Sequence, residues 1–176
     1  DRFFGNLGGE VANGFFLSGI EGYDAVYQKR YGEFISSVNE GKIRVLERSV
    51  VQFPKSGKFS ELAMQVLGVR LLAHRLSDGR QPWTYPYWSY PNYKSIYRNK
   101  HYQIYENSRV LPRAFLASSF LVRSDDQSIL DALYSERFDP KDTVVLEQEP
   151  VLLPLSGEGS VDIVKYTANE VVLQSK

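Results

Sequence analysis

Ser95-Ile-Tyr-Arg-Asn-Lys-His-Tyr-Gln-Ile-Tyr-Glu106 is the stretch that decides the fold. Two short runs rich in Tyr and Ile, 95–98 and 102–106, are separated at Asn99-Lys100, a dipeptide suited to a short hairpin turn. β-Branched and aromatic side chains fit a pleated, half-buried surface, so both runs read as strands. Towards the C-terminus the pattern stays β. Pro112 enters the apolar run Arg113–Val122, read as one long strand or a pair. Val144–Glu147, Val161–Tyr166 and Val171–Gln174 read as strands, the last two flanking Ala168-Asn169. Residues 154–160 (Pro-Leu-Ser-Gly-Glu-Gly-Ser) read as a loop. One helix interrupts them. Ser124-Asp-Asp126 starts it, Ile129, Leu130, Leu133 and Tyr134 give its apolar face, and Phe138-Asp-Pro140 stops it.

Towards the N-terminus the period changes. Tyr23, Tyr27, Tyr31, Phe34 and Val38 recur at spacings of four and three, which places them on one face of a helix over 23–39. Gly41 suits its C-terminal cap. Ser60 is read as the cap of a second helix that carries Met64 and Leu67 and ends at Gly68. Val69-Arg-Leu-Leu-Ala73 then reads as a buried strand. Residues 1–21 are rich in Gly, with Phe3, Phe4, Phe15 and Phe16 among them, and read as loops with a short strand. The fold class expected is α+β, with two or three helices packed on a mixed or antiparallel sheet.

The chain has 176 residues, 21 Lys+Arg, 21 Asp+Glu and no Cys. That length allows one domain or at most two small ones, and residues 1–176 are read as a single one. A chain this long buries roughly 70% of its unfolded surface and needs no metal or disulfide to fold. Net charge of zero removes the main warrant for nucleic-acid binding, which needs a basic surplus to neutralise phosphates. The absence of Cys excludes disulfides, thiolate metal sites and cysteine nucleophiles. No apolar run reaches the ~20 residues that span a bilayer. The chain starts at Asp1 with no signal peptide, and is read as a piece of a longer protein.

Candidate chemistry is sparse. His74 and His101 lack metal-ligand spacing. No nucleophile elbow and no phosphate-binding glycine loop occurs. Asp125 and Asp126 suit a helix N-terminus, as does Asp24, and Glu147 and Glu149 have no assigned role. No catalytic residue, metal site or cofactor is expected. The unusual feature is the aromatic series through 83–105. Its first part, Trp83, Tyr85, Tyr87, Trp88, Tyr90 and Tyr93, is broken by Pro86 and Pro91, which rule out a regular helix or central strand. Such rings anchor a loop to a core, stack on sugar faces, or sit at a membrane interface. Trp83, Tyr85, Trp88 and Tyr90 are therefore candidate ligand-binding residues. Arg113 joins them, because an arginine entering an apolar run pairs with a buried carboxylate or binds an anion.

Several segments together resemble the YfhO family of bacterial integral membrane proteins. They are Gly22-Tyr23-Asp24 with Lys29-Arg30-Tyr31; Leu67-Gly-Val-Arg-Leu-Leu72; Ile104-Tyr-Glu-Asn107 with Leu111-Pro-Arg-Ala-Phe-Leu116; Phe138-Asp-Pro140 with Val144-Val-Leu-Glu147; and Val161-Asp-Ile-Val-Lys-Tyr166 with Asn169-Glu-Val-Val172. The resemblance covers most of 20–176; residues 1–19 and 77–93 depart from it. It implies a parent with many membrane-spanning helices, similar to glycosyltransferases of the GT-C type that use polyprenyl-phosphate sugars on cell-surface polymers. This chain would then be a soluble extracytoplasmic region at the cell membrane, without catalysis of its own. Its partners would be the parent's own transmembrane domain and, through acceptor recognition, a glycan or lipid-linked sugar. Two other readings stand beside it: a carbohydrate-binding module using the aromatic segment 83–105, and a self-contained enzyme in which His101, Arg113 and two carboxylates converge in a cleft.

Overall fold

Val69-Arg-Leu-Leu-Ala-His-Arg75 is the middle strand of the larger sheet in the computed structural model. The structure describes residues 2–5, 18–23, 27–44, 50–51, 53–54, 57–76, 92–151, 159–167 and 169–176. They form two compact units, 1–111 and 112–176. The fold class is α+β, as the sequence indicates.

The first unit runs β1 (Arg2–Gly5), β2 (Ser18–Gly19), β3 (Gly22–Tyr23), α1 (Lys29–Ser37), β4 (Val50–Val51), α2 (Ser60–Val66), β5 (Val69–Arg75), β6 (Tyr93–Arg98) and β7 (Tyr102–Asn107). Its five-stranded sheet has the order β2-β1-β5-β7-β6. β1 is parallel to β2 and β5, whereas β7 is antiparallel to β5 and β6, so the sheet is mixed. β3 and β4 pair separately.

The core gathers Ile20, Ile35, Val38, Phe53, Ala63, Met64, Val69, Leu72 and Tyr105. Tyr27, Tyr31, Phe34, Leu67 and Tyr93 pack against it, so most of the helical stripe read from sequence does face inward. The helix itself starts at Lys29 rather than residue 23, because Tyr23 is drawn into backbone pairing with Val50. Gly41 takes φ 78° and donates its N–H to the Ser37 carbonyl at 2.6 Å, the left-handed closure that its position suggested. Ser60 is not the cap of α2. Phe59 holds that position without a side-chain bond, and Ser60, fully buried, donates its hydroxyl to the Pro54 carbonyl at 3.3 Å.

The hairpin β6–β7 forms where the opening stretch places it. The Asn99 side-chain oxygen accepts from the N–H groups of His101 (2.8 Å) and Tyr102 (2.7 Å), mimicking a backbone turn. At the far end of β7 the buried Asn107 amide donates to the Val69 carbonyl at 3.1 Å and accepts from the Arg109 N–H at 2.9 Å. That side chain satisfies two backbone groups, one of them the carbonyl of the buried Val69.

The second unit runs β8 (Ser119–Val122), α3 (Asp126–Leu133), β9 (Thr143–Leu146), β10 (Val161–Tyr166) and β11 (Val171–Ser175). β8 and β9 are parallel, which requires a crossover, and α3 supplies it. Asp125 caps α3 by accepting from the Ser128 N–H at 2.9 Å. α3 ends at Leu133, ahead of the Phe138-Asp-Pro140 stop. The strand expected over Arg113–Val122 shrinks to its last four residues. Ser119 donates its N–H to Asp142 O at 3.0 Å, which starts the pairing there, and residues 113–118 have no strand partner among the described residues. β10 and β11 form an antiparallel hairpin with a bulge between Ile163 and Lys165.

Two substitutions test this account by urea unfolding. A Cβ at Gly57 would lie 2.7 Å from the Val38 carbonyl oxygen and 2.9 Å from Asn39 Oδ1, so Gly57→Ala is expected to cost roughly 1–3 kcal/mol. Asn107→Ala removes both amide bonds at a buried site, and a loss of about 1–3 kcal/mol is expected. An unchanged midpoint in either variant would contradict the packing described.

Candidate functional site

Arg113 begins in the irregular segment that precedes β8. Its exposed guanidinium lies over the Tyr166 ring, 5.1 Å from the centroid, and Nη1 donates to Tyr166 Oη at 2.7 Å. The partner is thus an aromatic ring at the end of β10 rather than a carboxylate, one of the two partners that the sequence suggested. No ion pair engages Arg113 among the described residues. A guanidinium over a ring keeps much of its hydrogen-bonding capacity, so an approaching anion can still be met. Tyr166 was missed as a site residue. Its strand is legible, but a pairing across 53 residues leaves no local signal.

Trp83, Tyr85, Trp88 and Tyr90 lie outside the described residues, as do Asp24 and residues 152–158. The later members of the aromatic series are described. Tyr105 is in the core, and Tyr93 packs on it with its hydroxyl 3.5 Å from Met64 Sδ. Tyr102 is half-buried and Tyr97 is exposed on β6. This part of the series therefore serves mainly to anchor the hairpin.

Two further polar candidates, His74 and His101, lie in the first unit. His74 faces Gln103 across the sheet, and partial burial pushes its imidazole below the ordinary histidine value. His101 is exposed in the hairpin turn, with its carbonyl accepting from Leu76 N–H at 2.7 Å. His101 belongs to the first unit and Arg113 to the second. No group of three His, Asp or Glu set to hold a metal exists among the described residues. The Ser128 hydrogen bonds hold the Asp125 carboxyl below the usual range, as capping requires.

One polar cluster was not legible in the sequence. The Ser118 hydroxyl donates to the Asp142 carboxylate, and Ser119 Oγ lies 2.7 Å from Thr143 Oγ1. These groups join the starts of β8 and β9. Among the described residues the acceptor beside both hydroxyls is the Asp142 carboxylate, which Ser119 Oγ also approaches at 3.4 Å.

Tyr31 is the strongly perturbed group. Its hydroxyl donates to the Ile20 carbonyl, and burial pushes its pKa up to about 12, with Arg2 opposing and Glu21 adding to the rise. This is a core hydrogen bond rather than reactive chemistry.

The chain matches no protein-family model, no curated protein and no solved structure. Among the described residues no helix is long and apolar enough to cross a membrane.

Tyr31 sets a pH dependence. Its folded pKa lies above its ordinary value of 10.0, so its stabilising contribution is complete below pH 10 and declines as pH rises towards about 12. Urea midpoints between pH 9 and 11.5 should fall, and Tyr31→Phe should flatten that fall. An equal slope in both proteins would assign it to other groups.

Proposed function

We propose that this chain is the extracytoplasmic region of a YfhO-like membrane protein. The parent is a polyprenyl-phosphate-sugar-dependent glycosyltransferase acting on cell-surface polymers. The region has a structural or acceptor-recognition role and no catalysis of its own.

The observation that carries this reading is positional. Several of the segments that resemble the family fall on regular elements, whereas Leu111–Leu116 and Phe138–Pro140 fall between them. Leu67–Leu72 runs into β5, Ile104–Asn107 lies within β7, Val144–Glu147 covers most of β9, and 161–166 with 169–172 enter the hairpin β10–β11. The aromatic residues Trp83, Tyr85, Trp88 and Tyr90 remain the candidates for acceptor contact, by the stacking chemistry of rings on sugars.

Two measurements test this. The reading frame around residues 1–176 should continue into several hydrophobic segments of roughly 20 residues. A frame without them would overturn the reading. The purified chain, given a polyprenyl-phosphate hexose and teichoic acid, should transfer no sugar. Turnover would move catalysis into this region. In the same mixture the fluorescence of the two tryptophans, Trp83 and Trp88, separates the roles. A saturable shift with teichoic acid marks acceptor recognition, and an unresponsive spectrum leaves a structural role.

A further inference from the structure

The register of β10–β11 sorts its side chains into two unlike faces. Val161 pairs with Ser175, Ile163 with Leu173 and Tyr166 with Val171, and the bulge keeps all three pairs on one face. The other face takes Asp162 with Gln174 and Lys165 with Val172. Charges on that second face are answered within the hairpin. Lys165 pairs with Glu170, and Lys176 reaches Asp162 at 3.9 Å. The first face carries no charge of its own, yet it is open. Ile163 is 38% exposed, Tyr166 58%, Val171 51% and Leu173 51%. A two-stranded sheet is marginal in water without a third strand or a cover for its apolar face. This hairpin has no third strand among the described residues.

The charge at the rim narrows the choice of cover. Arg113 lies over Tyr166 on this face, and no carboxylate answers it among the described residues. A second copy stacked face to face by two-fold symmetry would bring another Arg113 to an acid-free surface. That repulsion disfavours self-association. The cover should be apolar in its body and anionic at its edge.

We propose that the apolar face of β10–β11 lies on an anionic lipid surface. Val161, Ile163, Val171 and Leu173 enter the boundary between headgroups and acyl chains. Tyr166 sits at headgroup level, where an amphipathic ring is favoured, and Arg113 reaches from the rim to a lipid phosphate. The charged face points to water. The exposed backbone edges stay solvated, because the headgroup layer is wet. This surface follows from the hairpin's own geometry and does not rest on the family reading above.

The test uses residues 1–176 in co-sedimentation with vesicles of phosphatidylcholine alone or mixed with phosphatidylglycerol. Binding is expected with the mixed vesicles and should weaken as salt is raised. Val171→Asp with Leu173→Asp, at exposed positions, should reduce binding by at least about tenfold. Arg113→Ala should reduce it about fivefold and weaken the preference for the anionic lipid. Gln174→Asp, on the polar face, serves as the folded control and should change binding far less than the double variant. Circular dichroism on each variant separates lost binding from lost fold, and Leu173→Ser replaces any variant that unfolds. Equal binding to both vesicle types, or no binding to either, overturns the proposal. So does a dimer in light scattering that Val171→Asp dissociates, which would give the face to a second copy. The family reading survives each of these failures, because it rests on the order of the segments along the chain.

Discussion

The strand Val69–Arg75 has to be satisfied on both edges at once, and the first unit is organised around that requirement. β1 takes one edge in parallel and β7 takes the other antiparallel. Val69 and Leu72 are buried in the core with Met64 and Tyr105. At the strand's first residue the backbone carbonyl would be stranded beside the core, and the Asn107 amide meets it. A buried polar side chain costs little only when its own bonds are complete, and Arg109 N–H completes this one. The end of β7 is thereby locked to the start of β5, which holds the register of the pair.

The two hairpins of this chain show how similar local codes reach different ends. β6–β7 and β10–β11 both alternate, both use Tyr and β-branched residues, and both contain a bulge. β7 has a neighbour, β5, so Tyr105 is buried and Tyr93 packs against the same core. β11 has no such neighbour among the described residues, and its alternation sets a face without charge against one that carries Asp162, Lys165 and Val172, burying neither. The hydrophobic driving force at such a face remains unused until something covers it. The rim cation, Arg113, then carries weight in deciding what that is.

Local features were legible to the extent that near neighbours decide them. The Asp125 cap, the Gly41 closure and the Asn99 turn are each settled within a few residues, and each lies where its residue type predicts. Errors came where a distant group competed. Tyr23 left the helical stripe for a strand, Ser60 turned from the cap to the Pro54 carbonyl, and Arg113 met Tyr166 instead of a carboxylate. Residues 113–118 are apolar enough to read as strand, but a strand needs a partner edge, and none faces them among the described residues.

The sequence by itself determined the α+β class, the helix stripes and most of the strands. It also determined the balanced charge and the absence of thiols. Those properties reside in composition and in periods of 2 and 3.6 residues, which act over one or two turns of chain. Only the tertiary structure decided the order β2-β1-β5-β7-β6, the burial of Asn107, the partner of Arg113 and the exposure of one amphipathic hairpin. Each depends on which edges and faces meet across tens of residues. Alternation marks a face as apolar, but what covers that face is set by the surface brought against it.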